Sequence, residues 1–242
     1  MESGYVKVED KSLLLKDETV YRSLVGALLY IAVCARPDIA VSASILGRKV
    51  SAPTETDWVA AKRLVRYLKH TKNWKLEFGR STDGLIGSTD ADWAGDTATR
   101  RSTTGFVFHY AGGAVSWASR RQSCVTLSSM EAEYVALSEA CQELVWLLEL
   151  LKDLGVPHQG PVRVLEDNQS CIAFVASERI NRRSKHIETR ECYVKQLQDE
   201  GILKLEYCPT DTMVADVFTK PLGAVKQFKF AEMLGLSGCN DR

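Results

Sequence analysis

The order of its apolar runs is what most constrains this chain. From about residue 75, short β-like runs separated by turns give way to one long helical stripe, after which strand and helix alternate. Leu85 to Thr89 reads as a buried strand, and Gly105 to Tyr110 and Ala114 to Ser119 read as a hairpin whose Gly112-Gly113 turn permits positive φ. Between Ser128 and Leu154, Tyr134, Leu137, Cys141, Leu144, Leu148 and Leu151 recur at helical spacing, and Gly155 stops the helix. Val162 to Leu165 is a fourth strand. Asp167-Asn168 caps a short helix through Ile172, Phe174 and Val175, a further helix runs through Val194 and Leu197 to Gly201, and Ile202 to Tyr207 alternates as a fifth strand. A last helix starts near Thr212. Three strands in succession followed by strand–helix–strand units, which demand parallel pairing, predict a mixed α/β fold: a five-stranded mixed sheet flanked by helices.

The front of the chain reads differently. Residues 21–35 are strongly apolar and stop at Arg36-Pro37-Asp38, where proline disfavours helix in the residue before it, so a second helix starts there. Thr54 opens a third, with Trp58, Ala61, Leu64, Val65 and Leu68 on one face and Lys62, Arg63, Arg66 and Lys69 on the other. The predicted organisation is a small helical segment over 1–80, an α/β domain over 81–222 and a C-terminal tail over 223–242.

Composition excludes little. Lys plus Arg and Asp plus Glu both count 31, so bulk charge does not argue for a nucleic-acid partner, although residues 1–80 carry 14 basic against 9 acidic side chains and the remainder is acidic. The longest apolar stretch, Leu24 to Ala35, is too short to span a bilayer, so no membrane partner is expected. Seven scattered cysteines with no Cys-x-x-Cys read as reduced thiols of an intracellular protein.

Four acids sit where elements end. Asp90 follows the first buried strand, Glu131 lies in the first turn of the long helix, Asp167 ends the fourth strand, and Asp216 lies within the apolar Val214-Ala215-Asp216-Val217-Phe218. Each has a plainer reading: Glu131 is three residues after Ser128, the spacing of a capping box, and Asp167 suits an N-cap. Brought together, four carboxylates would repel one another unless cations lay among them. Two Mg²⁺ ions about 3.5–4 Å apart would neutralise such a cluster and serve an in-line phosphodiester displacement, with Mn²⁺ able to substitute.

The motifs around these acids carry a resemblance. Ser88-Thr89-Asp90-Ala91-Asp92-Trp93-Ala94-Gly95-Asp96, Arg101-Ser102-Thr103-Thr104-Gly105, Ser116-Trp117, Ser128-Ser129-Met130-Glu131-Ala132-Glu133-Tyr134, Glu166-Asp167-Asn168-Gln169, Lys185-His186-Ile187 and Ala215-Asp216-Val217-Phe218-Thr219-Lys220-Pro221-Leu222 stand in that order. As a set, the chain resembles the ribonuclease H region of copia-type LTR retrotransposon Pol polyproteins. Residues 21–80 look like the C-terminal end of the reverse transcriptase region. The resemblance implies a ribonuclease H-like fold, cleavage of the RNA strand of RNA/DNA hybrids, and Asp90, Glu131, Asp167 and Asp216 as the catalytic, metal-binding carboxylates. Asp92, Glu133 and Asp96 are left outside that set, the first two because they lie two positions from a chosen ligand and hence on another face.

Partners implied in the same way are an RNA/DNA hybrid and the upstream reverse transcriptase portion of the polyprotein, with a cytoplasmic location in a virus-like particle. No Tyr-x-Asp-Asp occurs, so no polymerase activity is expected. One departure stands out: many ribonucleases H carry a histidine in the loop before the last acidic helix, and Cys208-Pro209-Thr210-Asp211-Thr212 has none. The alternative is a catalytically inactive retroelement remnant or a structural hybrid-binding module. A hybrid is read through backbone, shape and 2′-hydroxyls, so Asn168, Gln169, Arg101, Lys185 and His186 are the candidate substrate contacts. Trp93, Trp117 and Met130 are expected to pack in or beside the core.

Overall fold

The computed structural model of this protein describes Tyr5 and residues 12–177 and 193–238. Three helices come first: α1 (Glu18–Cys34), α2 (Ala40–Gly47), reached through a single 3₁₀ turn at Pro37–Ile39, and α3 (Glu55–His70). Then come β1 (Trp74–Leu76), β2 (Ile86–Asp92), β3 (Thr103–Tyr110), β4 (Gly113–Arg121), the long α4 (Ser129–Asp153), β5 (Val162–Glu166) and α5 (Gln169–Ala176). Helical residues 193–199 form α6, followed by β6 (Leu203–Tyr207), α7 (Asp216–Thr219), α8 (Ala224–Met233) and β7 (Leu236–Gly238).

Five strands form one mixed sheet, as the succession of strands and helices predicts, and they lie in the order β4-β3-β2-β5-β6. β2 is its centre, antiparallel to β3 and parallel to β5, and β5 is parallel to β6. Strand alternation divides the core between two faces. Phe106 and Phe108 point to one side, where Leu137, Cys141 and Leu144 of α4 cover them together with Val162, Val164 and Leu203. Val107, between them, points to the other side and packs with Val214, Val217 and Phe218 around α7 and with Phe230 and Leu234.

β2 runs to Asp92, three residues beyond its apolar stretch, because β3 continues to offer it a ladder: Asp90 pairs with Gly105 and Asp92 with Thr103. Asp90 therefore lies within the central strand and not after its end. Propensity reads polar residues as a strand terminus, whereas tertiary pairing extends the strand through them.

The helical segment has its own core of Tyr21, Val25, Leu28, Ala32, Leu46, Ala61 and Leu64, built on the α1 and α3 faces that the periodicity predicts. It is also tied to the sheet. Ala40 of α2 joins the core beneath α7, and the Trp117 indole of β4 donates to the Ala32 carbonyl at 2.9 Å. Residues 224–238, expected as tail, form α8 and β7, and β7 pairs antiparallel with β1, linking residues on either side of the expected boundary at 80. At the junction Arg36 and Asp38 form a buried ion pair at 2.7 Å. The Tyr67 hydroxyl donates to Asp38 at 2.7 Å, the Arg36 guanidinium lies over the rings of Tyr67 and Trp74, and the Gln227 amide of α8 donates to the Asp38 carbonyl at 2.7 Å. Every charge in this junction is bonded, which is the condition for burying one without a large loss of stability.

Gly105 sets how closely α7 can approach the central strands. A Cβ there would come within 2.6 Å of Thr219 Cγ2, 2.8 Å of Phe218 Cβ and 3.1 Å of the Ala215 carbonyl oxygen. Gly105→Ala is expected to push α7 off the sheet and destabilise the protein by about 1–3 kcal/mol, read from urea unfolding midpoints. An unchanged midpoint would show that this contact does not limit the packing.

Candidate metal centre

Two parallel strands and two helices converge at the end of β2. Asp90 is 3% exposed, and its carboxylate accepts a hydrogen bond from the Thr219 hydroxyl at the end of α7. Asp167 follows β5, the neighbour of β2, and accepts from the Thr210 hydroxyl at 2.7 Å. That threonine belongs to the loop in which the sequence lacks a histidine. The third member of the group is Glu133, in the second turn of α4 and 6% exposed. One carboxylate oxygen from each of Asp90, Glu133 and Asp167 lies within 4.8 Å of the others.

Glu131, the expected ligand from α4, is elsewhere. Its carboxylate accepts from the Leu127 amide at 2.6 Å while its own amide donates to the Ser128 hydroxyl at 3.2 Å, so it closes the start of the helix. The cause is helical rotation: residues two apart point about 200° from one another, so only one of the two glutamates can face the sheet. Ala132 and Ala136 rest on Ala91 of β2, which turns Glu133 inward. A signal for this was present in the sequence. The apolar stripe through Leu137, Cys141 and Leu144, carried back one turn from Leu137, reaches position 133 and not 131.

Asp216 is fully buried at the first position of α7, but its oxygens are taken by cations. Lys220 Nζ lies 2.7 Å from Oδ1 and Lys226 Nζ 3.2 Å from Oδ2. Lys220 is also 3.9 Å from Asp90 Oδ2, so its ammonium connects Asp216 to the group. Glu166, which the sequence reading passed over, ends β5 fully buried; one oxygen accepts from the Asn168 amide at 3.1 Å and the other has no hydrogen-bond partner.

The remaining expected contacts are mixed. The Asn168 side chain caps α5, accepting from the Cys171 amide at 3.0 Å, which engages its oxygen. Gln169 is exposed at the start of α5, and Arg101 is half-buried on the approach to β3. Lys185 and His186 lie outside the described residues. Asp96 holds its own loop, accepting from the amides of Ala98 and Thr99 and pairing with Arg121 at 2.9 Å. Trp117 and Met130 pack against apolar clusters as expected. Trp93 is 47% exposed, with its indole donating to the Thr126 carbonyl.

Burial raises the pKa of Asp90, with the charges of Asp216 and Asp167 adding to it against the opposing pull of Lys220 and Thr219. Glu133 is raised well above the ordinary carboxyl range by burial and then by Asp90, Glu166 and Asp167, and Glu166 is raised in the same direction, first by burial. Burial works against the charge of Lys220, yet Asp90 and Asp216 outweigh it and push that ammonium up to about 12. One Glu133 oxygen has no hydrogen-bond partner, so an acceptor sits buried and unsatisfied beside two other carboxylates. Hard oxygen donors so arranged fit a hard divalent cation.

By its strand order and flanking helices the chain belongs to the class of α/β proteins built on a mixed five-stranded sheet. It is a member of the copia-type retrovirus-related Pol polyprotein family. Over 229 residues, 95% of its length, it is 39% identical to the retrovirus-related Pol polyprotein from transposon TNT 1-94 of Nicotiana tabacum, and spans 17% of that polyprotein. Over 128 residues, 52% of its length, it is 52% identical to secreted RxLR effector protein 161 of Plasmopara viticola, covering 90% of it. The foamy viral protease-reverse transcriptase in complex with dsDNA has a similar fold, at a TM-score of 0.52 and 14% identity over 85% of this chain and 40% of that one. No protein-family model matches the chain.

The raised carboxyl pKa values have a consequence for stability. Each of these acids has a folded value above its unfolded value of about 4, so its contribution is complete below that pH and is lost as pH rises through the folded value. In metal-free buffer the thermal midpoint is expected to fall as pH rises from about 5 to about 8, and Mg²⁺ is expected to restore it at the upper end. A midpoint that climbs over this range without metal would contradict the burial of the cluster.

Proposed function

We propose that this chain is a ribonuclease H: an endonuclease that uses divalent metal to cut the RNA strand of an RNA/DNA hybrid. The observation that carries the reading is the packing of Asp90, Glu133 and Asp167 oxygens within 4.8 Å of one another in a largely buried site. Three ionised carboxylates so close repel one another, and a divalent cation joining them relieves that repulsion at the pH where they are charged; membership of the Pol family supports nucleic acid as the substrate.

Asp90, Glu133 and Asp167 would hold the ion, Mg²⁺ with Mn²⁺ as a substitute; when bound, it supplies Lewis acidity at a bridging phosphate and lowers the pKa of a water. The residues do the rest. Asp90 lies on β2 and Asp167 just past the end of the adjacent parallel strand β5, and their orientation is held by the hydroxyls of Thr219 and Thr210. Glu133 brings the third carboxylate from α4, turned toward the site where Ala132 and Ala136 rest on Ala91. Gln169, exposed at the helix start beside Asp167, and Arg101, half-buried, are proposed to meet the hybrid backbone. Sequence preference is not expected of contacts of this kind. The upstream reverse transcriptase portion is proposed as the partner that delivers the hybrid.

The test separates the two glutamates. With a labelled hybrid and Mg²⁺, Asp167→Asn and Glu133→Gln are expected to abolish RNA cleavage. Glu131→Gln should keep it and lose only about 1 kcal/mol of helix-capping stability. Cleavage surviving in Glu133→Gln while lost in Glu131→Gln would refute the assignment.

A further inference from the structure

We infer that Lys220 is a tethered cation that keeps Asp216 out of the metal centre, so that the protein free of nucleic acid takes one divalent ion, on Asp90, Glu133 and Asp167, and not two. The inference rests on the metal reading above and concerns the fourth acid.

Both oxygens of Asp216 face a cation, Oδ1 paired with Lys220 at 2.7 Å without a directed hydrogen bond and Oδ2 bonded by Lys226 at 3.2 Å, and the carboxylate has no solvent exposure. The Lys220 ammonium stands 3.9 Å from Asp90 Oδ2, between two carboxylates that a second bridging ion would have to join. That ion would have to displace the ammonium, and would then meet both the repulsion of a nearby cation and the loss of a bonded pair whose acidic member is buried. Three side chains with an unsatisfied Glu133 oxygen remain open to a first ion.

The lysine is held there by the backbone. Lys220 caps α7, its amide donating to the Asp216 carbonyl at 3.3 Å, which places the two side chains one turn apart on the same face. Pro221 follows and cannot continue the helix. α7 itself is pressed onto β3 at Gly105, which fixes the backbone from which both side chains extend. Lys220 is therefore a positioning residue: it acts on the metal centre through Asp216 and Asp90.

The experiment counts Mn²⁺ bound to the full chain without nucleic acid, by the electron paramagnetic resonance signal of unbound ion and by calorimetry. One ion per chain is expected for the wild type and for Lys220→Arg, which keeps the charge. Lys220→Met should double the count to two. Should Lys220→Met fail to fold by circular dichroism, Lys220→Gln, which can still hydrogen-bond Asp216 without a charge, is read in its place with the same expectation. Two ions in the wild type, or one ion in the folded uncharged variant, would overturn the role of Lys220 while leaving the metal centre in place. A folded wild-type protein that binds no Mn²⁺ would overturn the metal reading, and this inference with it.

Discussion

Carboxylate oxygens of three side chains within 4.8 Å of one another, two of them on nearly buried residues, are a costly arrangement. Two like charges at about 4 Å repel by about 4 kcal/mol even at an effective dielectric constant near 20. The rest of the fold can be understood as what holds this arrangement in place. The parallel register of β2 and β5 sets Asp90 beside Asp167, the small residues Ala91, Ala132 and Ala136 let α4 close on the sheet with Glu133 facing in, and apolar clusters on both faces supply the stability that the charges subtract. Protonation, lysine and metal are three ways of relieving the same repulsion.

The helical segment takes part in this support. α7 lies over Gly105 in a core to which α2 contributes Ala40, and α8, which brings Lys226 to Asp216, is tied by Gln227 to the buried Arg36–Asp38 junction. A chain of bonded contacts thus runs from the front of the sequence to the acid cluster, and the antiparallel pair β1 and β7 closes it. The front segment is structurally part of what positions α7, whatever else it binds.

Much of this was legible from residues alone. The five strands, the long α4 and its apolar stripe follow from periodicity, and Asp90 and Asp167 follow from their place at the ends of apolar runs. The choice between Glu131 and Glu133 did not, although the stripe pointed to 133: a capping signature and a buried acid in the next turn look alike when only local spacing is considered. Asp216 was found as a buried acid within an apolar run; its i,i+4 partner Lys220 is a pairing that local spacing does encode, whereas Lys226 reaches it from another helix across a turn that local spacing does not describe. Asn168, expected at the substrate, proved to cap α5.

The sequence by itself determined the elements and their order, since hydrophobic periodicity and turn residues act over a few positions and need no knowledge of the rest of the chain. It also determined that several acids would have to be accommodated among apolar residues. Which acids meet, and which are answered by lysine, was decided only in the tertiary structure: a rotation of α4 by two residues exchanges one glutamate for another, and the approach of α7 over a single glycine brings Lys220 between Asp90 and Asp216. Both meetings are settled by packing between elements far apart in the chain, where local spacing gives the facing side chain but not what it faces.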